Sequence, residues 1–409
     1  MLTKLDNGIT VISDSIDSVE TISFGIFVGV GSVNEDNNQK GLSHFLEHMV
    51  FKGTTTRNAM QISSAIESVG GIMNAFTGQE MTGFHAKILK EHLPLAIDVI
   101  SDMLQNATFD LIEFDRERKV VIQEIKMVND SPDDYISDLF QSTCFGNERL
   151  GSPILGFEEG ISSYTPDDIR NYMNSNYSID KMVLVASGNV NHDTLVELAS
   201  KYIVKLKQFP TKQVEKQKYT GGYVYKERDL EQTHIMMGYE GYSYNDINKH
   251  KLMLLSSILG FGSSSRLFQE AREKRGLVYT IYSTISSFRD TGTFGIYAAC
   301  EPNKAKEVIS IVKDELNKIQ NNISIEELNK AKMQLKSSLL MRLEDNSNRM
   351  ERIASQYLLE GKLTEIHDTI NNINQLTLED IEKTAKNIVD NSNYTLSVLG
   401  KCNGNLYEI

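Results

Sequence analysis

Apolar runs bounded by turn residues, alternating with capping signals ahead of amphipathic stretches, divide this chain into short strands and helices. Met1 to Val11 reads as strand, turn and strand, and Thr21 to Val28 as a longer strand. Thr165-Pro166-Asp167-Asp168-Ile169 opens a helix, with Thr165 as cap and proline in the first turn, and the strand Met182 to Gly188 follows. The same order returns 212 residues later. Thr233 to Glu240 repeats the first unit, the capping box Thr377-Leu378-Glu379-Asp380-Ile381 opens a helix, and Tyr394 to Gly400 is the closing strand. One offset at both ends predicts a duplicated domain of class α+β, each copy a mixed β-sheet packed with helices. The expected division is 1–206, a linker 207–218 carrying Pro210 and four lysines, and 219–409.

Composition narrows the class without changing that picture. A chain of 409 residues suits two domains of about 200. Hydrophobic residues at 40% and charged residues at 24% are those of an ordinary soluble globular protein. No apolar run approaches the length of a membrane span, and the N-terminal stretch lacks the basic and apolar regions of a leader, so a cytoplasmic protein without membrane insertion is expected. Cys144, Cys300 and Cys402 are odd in number and widely spaced, as reduced structural thiols are. A net charge of −13 argues against nucleic acid as partner and favours basic ligands.

Chemistry enters with His44-Phe45-Leu46-Glu47-His48, an H-x-x-E-H run in an apolar helical stretch. At helical spacing His44 and His48 share one face, so both imidazoles can reach one Zn²⁺ while Glu47 stays free to act on a water. Catalytic zinc needs a third protein ligand. The expected helix Glu113 to Val128 offers Glu117 and Glu124, seven residues apart on nearly the same face, and either satisfies the chemistry. Shifted by 212, the three N-terminal positions become Ser256, Leu259 and Gly260, so only the first copy is a metal site. The most distinctive run of the second copy is Ser263 to Tyr279, with Arg272 and Tyr279 seven residues apart.

His44 to Thr54 followed by Glu117-x₆-Glu124 resembles the inverted-zincin, pitrilysin-type (M16) metallopeptidases, and most of all the branch of the mitochondrial processing peptidase β subunit and its bacterial relatives. The similarity covers essentially the whole chain. It implies a LuxS/MPP-like metallohydrolase fold forming one half of a clam-shell, and one Zn²⁺ per chain held by His44, His48 and Glu124. Glu47 is then the general base, and Glu117 supports the site without ligating. The resemblance further implies that Arg272 and Tyr279 grip the substrate carbonyl, as an Arg fork and a phenolic donor can. Gly71 to Thr77 becomes an edge strand to which a peptide adds, with Asn74 and Ala75 in contact and Phe76 lining the pocket just beyond the cut. Asp134 and Asp138 match acidic positions that recognise an arginine near the cleavage site; in a helix they share one face, whereas Pro132 would allow a loop. The segment Gly260-Phe261-Gly262-Ser263 is too short for the glycine-rich loop of an α-type partner chain, and metal motif and Arg/Tyr pair sit in one chain, so a homodimer is expected, with a heterodimer as the alternative. The implied activity is a zinc metalloendopeptidase for short, unfolded, preferably basic, presequence-like peptides. The alternatives are a noncatalytic peptide-binding or assembly subunit and a maturation protease dedicated to one small precursor.

Overall fold

A computed structural model of the chain describes residues 1–391, 393–402 and 406. Its strands are β1 (Leu2–Lys4), β2 (Thr10–Ser15), β3 (Thr21–Val28), β4 (Ile72–Thr77), β5 (Thr82–Leu89) and β6 (Met182–Gly188), then β7 (Gly222–Lys226), β8 (Thr233–Gly241), β9 (Val278–Ser287), β10 (Gly292–Cys300) and β11 (Thr395–Leu399). The helices that matter below are α1 (Leu42–Val50), α2 (Leu93–Asn106), α3 (Leu111–Asp130), α4 (Pro132–Phe145), α5 (Pro166–Asn176), α6 (Lys249–Gly260), α7 (Ile325–Arg342), α8 (Asn346–Ser355) and α9 (Leu378–Asn391).

The strands form two mixed sheets, in the orders β1-β2-β6-β3-β5-β4 and β7-β11-β8-β10-β9. Apart from β1, the second order repeats the first strand for strand. In each, one parallel pair (β2 with β6, β7 with β11) sits beside antiparallel neighbours, and β4 or β9 lies at the edge. The α+β class and the duplication therefore hold in topology as well as in sequence.

The expected contiguous division needs correction in two segments. The compact units are Met1–Lys126 with Pro153–Glu215 and Met341–Leu363, and Met127–Ser152 with Lys216–Leu340 and Thr364–Ile409. The junction between Glu215 and Lys216 lies inside the expected linker, but each unit also takes in a helix from elsewhere in the chain. Burial supplies the reason. In the first unit one sheet face packs on α1, α2, α3 and α5 through residues such as Phe24, Phe45, Ile97, Phe114 and Tyr172. The opposite face carries Ile12, Phe27, Val183 and Val185, and it is covered by Met350 and Ala354 of α8. In the second unit α4 plays that part: Phe140 is buried, and its ring lies 2.7 Å from where a Cβ on Gly238 of β8 would stand. A sheet apolar on both faces needs two helical layers, and each repeat alone supplies one.

Among the described residues no helix is long and apolar enough to cross a membrane. Cys144 and Cys300 are buried free thiols, and burial pushes both up to about 12. That leaves both as inert packing groups.

Candidate active site

Helix α1 presents two faces with different tasks. Leu42, Phe45, Leu46 and Met49 are fully buried and bind it to the core, with the Phe45 ring stacked on Phe114 of α3 at 4.6 Å. That stack brings α3 alongside, with Phe114, Val121 and Ile125 buried and Glu117 and Glu124 two turns apart. On the other face of α1, His44 and His48 meet edge to face at 4.6 Å between ring centres.

Distance separates the two glutamates. Nε2 of His44 and Nε2 of His48 lie 3.6 and 3.5 Å from Oε2 of Glu124, and one donor atom from each of the three residues falls within 4.8 Å of the others. A tetrahedral zinc with ligands at about 2.0–2.1 Å has edges of about 3.3–3.5 Å, so the donor set fits the ion. Glu117 takes the outer position. Its Oε2 accepts from Nδ1 of His48 at 3.0 Å, and its Oε1 pairs with Lys52 Nζ at 2.8 Å. Because a carboxylate only accepts, Nδ1 carries the proton and Nε2 is turned toward Glu124.

The electrostatics follow the same geometry. Burial lowers His48, but Glu117 and Glu124 outweigh it and hold the imidazole up to about 9. His44, lowered by burial and by the His48 charge against the pull of Glu124, falls to about 4. Burial raises Glu47 above the usual carboxylate range, opposed by the Thr77 hydroxyl and by His48. Thr77, the last residue of β4, donates its hydroxyl to Glu47 Oε2, which aims the carboxylate beside the ligand cluster. Sequence reasoning missed Lys52 and Thr77. The first stood in the quoted motif as a charge without a task, and the second required knowing which face of β4 looks at α1.

Replacing Glu117 by Gln keeps the shape but gives Lys52 and His48 a neutral partner. Zinc affinity is expected to fall by about 10–100-fold, the range for an outer-sphere partner of a ligating histidine. Chelator competition measures it, and an unchanged affinity would show that Glu117 plays no such part.

Among the described residues β4 pairs only with β5, and its other edge carries no strand. Met73 and Ala75 pack toward the α1 side, as the Thr77 contact requires of the odd positions. Phe76 departs from expectation. Its ring packs at 6.3 Å from Phe27, a residue of the opposite sheet face, and it belongs to the cluster covered by α8. Side chains alternate along a strand, so Phe76 cannot line a pocket on the α1 side, and Asn74 shares its parity. The Ala75 N–H donates at 2.9 Å to Oδ1 of Asn74.

The remaining predicted residues lie in the second unit. Arg272 stacks over the Tyr279 ring at 4.8 Å and over Phe268 at 4.7 Å, while Tyr279 is 75% exposed. The structure thus brings this pair together with the phenol free to reach solvent. Pro132 starts α4 at its first turn, where its missing N–H costs nothing, so Asp134 and Asp138 do share a helix face. Burial and the Asp134 charge push Asp138 up to about 6.

That rise has a stability consequence of fixed sign. Between the unfolded value of about 3.9 and the folded value near 6 the native state binds the extra proton, so stability falls as pH rises through this window and stays lower above it. Asp138→Asn is expected to raise Tm more at pH 8 than at pH 5, at about 2–4 °C for each kcal/mol relieved. Equal effects at both pH values would remove the assignment.

At position 212 further on, α6 carries Ser256, Leu259 and Gly260 in place of the metal set. Ser256 Oγ instead bonds Ser283 Oγ at 2.7 Å, and Ser257 Oγ donates to Gln334 of α7 at 3.2 Å. The second copy kept the frame and lost the ligands.

With fold and site in view, comparison with known proteins is direct. Residues 10–158 match the family model described as insulinase (peptidase family M16), and residues 163–335 match the peptidase M16 inactive domain. An uncharacterized zinc protease of Rickettsia felis is 37% identical, aligned over 95% of this chain and 94% of its own length. An uncharacterized zinc protease of Bacillus subtilis is 34% identical over 96% of each chain. This chain belongs to the M16 peptidase family. Among solved structures, a protease from Helicobacter pylori superposes with a TM-score of 0.92 at 24% identity, covering 98% of this chain and 99% of that one. A peptidase M16 inactive domain from Pseudomonas fluorescens gives 0.91 at 18% identity, covering 99% and 98%. Both show the same fold.

Proposed function

We propose that this protein is a zinc-dependent metalloendopeptidase that cuts short, unfolded, preferably basic peptides. The carrying observation is the convergence of His44, His48 and Glu124 within ligand distance, with Glu47 beside them. The naming of its relatives as zinc proteases supports the reading.

When bound, Zn²⁺ supplies a Lewis acid and lowers the pKa of water toward neutrality. Glu47, raised by burial, accepts the proton of the attacking water and returns it to the leaving amine as the C–N bond breaks. Thr77 keeps its carboxylate aimed during both transfers. Arg272 and Tyr279 are the donors for the carbonyl oxygen as negative charge builds there, and the open edge of β4 takes the peptide as an added strand. Asp134 and Asp138 attract an arginine of the substrate. In this reading the chain works in the cytoplasm as a homodimer, each chain one half of a clam-shell, with the second unit of one subunit facing the metal site of the other.

Metal content and cleavage of an arginine-containing basic peptide test the proposal together. About one zinc per chain with cleavage supports it; a chain that binds no zinc, or binds it and cuts nothing across a broad peptide set, is a binding or assembly subunit instead. A dedicated maturation protease would ignore nearly all of a mixed peptide library.

A further inference from the structure

We propose that Glu35 is a positioning residue of the metal centre, whose buried carboxylate caps the first turn of α1 and so fixes where His44 and Glu47 stand. The inference rests on the reading of His44, His48 and Glu124 as the zinc ligands.

Helix α1 has only nine residues and cannot cap itself. Its cap position is Gly41, in the left-handed region at φ 89°, where an added Cβ would stand 2.6 Å from the Leu155 carbonyl oxygen. Glycine is therefore required and no side chain is available, yet the first-turn N–H groups still need acceptors. Glu35, fully buried, supplies them. Gly41 N–H donates to Oε2 at 2.9 Å and Ser43 N–H donates to Oε1 at 2.7 Å, so one carboxylate brackets the start of the helix. The next residue is His44. The Ser43 hydroxyl is itself held by Tyr172 Oη at 2.7 Å.

What holds Glu35 also reaches the base. Its own N–H closes the turn Ser32–Asn34 by donating to the Ser32 carbonyl at 3.1 Å. The same turn is tied to the end of β4, with Ser32 N–H donating to Gly78 O at 3.1 Å and Val33 N–H to Gln79 O at 2.9 Å. The preceding residue is Thr77, which orients Glu47. A closed path thus runs from the start of α1 through Glu35 and back to Glu47 by way of β4. Burial pushes Glu35 up to about 7 against the pull of the Ser43 and Gly41 amides. A carboxylate buried away from water is costly unless it is hydrogen-bonded, and the two amides at the start of α1 supply those bonds.

The test compares Glu35→Gln, which loses the charge and one acceptor, with Thr165→Ala, which removes the cap of α5 in the same unit. Tm, zinc affinity by chelator competition and the visible spectrum of the Co²⁺-loaded protein are read for both. The expected result is a zinc affinity lowered by about tenfold or more and a shifted Co²⁺ spectrum for Glu35→Gln, with Thr165→Ala lowering Tm alone. If Glu35→Gln lowers Tm but binds both ions as the wild type does, Glu35 is merely structural and the proposal is overturned. Should that variant not fold, Glu35→Asp, which keeps the charge one methylene short, takes its place in the same comparison. Hydrogen exchange on the metal-free wild type is an independent check: Gly41 and Ser43 amides exchanging at loop rates overturn the proposal. A wild type that binds neither ion sinks the metal reading itself, an outcome distinct from equal binding by wild type and variant.

Discussion

Glu47→Gln is expected to keep its zinc and to lose at least about 100-fold in peptide cleavage, the lower range of what a positioned acid–base group contributes. The two halves of that result come from separate features of the site. The amide matches the carboxylate in size and can still accept from Thr77, and Glu47 lies outside the set whose atoms converge for a metal, so binding should survive. Gln cannot take a proton from water at any accessible pH, so the transfer that burial prepares Glu47 for is removed. Metal analysis and cleavage of one basic peptide, run on wild type and variant in parallel, decide it. A variant that cuts within tenfold of the wild type would mean that another group moves the proton.

Glu124→Ala should remove the metal response altogether. Zinc at 100 times its Kd stabilises the folded state by about 2.7 kcal/mol, which for a unit of about 200 residues raises Tm by about 5–10 °C. The ion needs three protein donors, and without Glu124 only the two imidazoles of α1 remain, so affinity is expected to fall beyond the 10–100-fold typical of an outer-sphere partner. The contrast with Glu117→Gln is the informative part, because spacing alone makes the two glutamates equivalent. Thermal melts with and without added zinc read both variants. If Glu117→Gln abolished the shift and Glu124→Ala kept it, the assignment of ligand and supporting residue would be reversed.

The candidate site was legible in the sequence as far as one helix carries it. His44, Glu47 and His48 lie within five residues, and their common face follows from 3.6 residues per turn, whatever the chain does elsewhere. The seven-residue spacing of Glu117 and Glu124 is of the same kind, and so are the caps at Thr165 and Thr377 that exposed the duplication. Each is a local property, set by bond geometry and by nearby backbone groups that need a partner.

Only the tertiary structure decided which glutamate meets the imidazoles, because that depends on how α3 is seated on α1 through Phe45 and Phe114. It also turned Phe76 away from α1, a question of strand parity that the residue type leaves open. Thr77 and Glu35 were silent in the sequence for the same reason: each finds its partner across a turn or a sheet edge, at 30 and eight residues' remove, and neither spacing is periodic. The exchange of α4 and α8 between the units was hidden most completely. Their apolar faces show that they are buried, but the sheet that buries them is chosen by which one presents an uncovered apolar face, and no stretch of the chain records that locally.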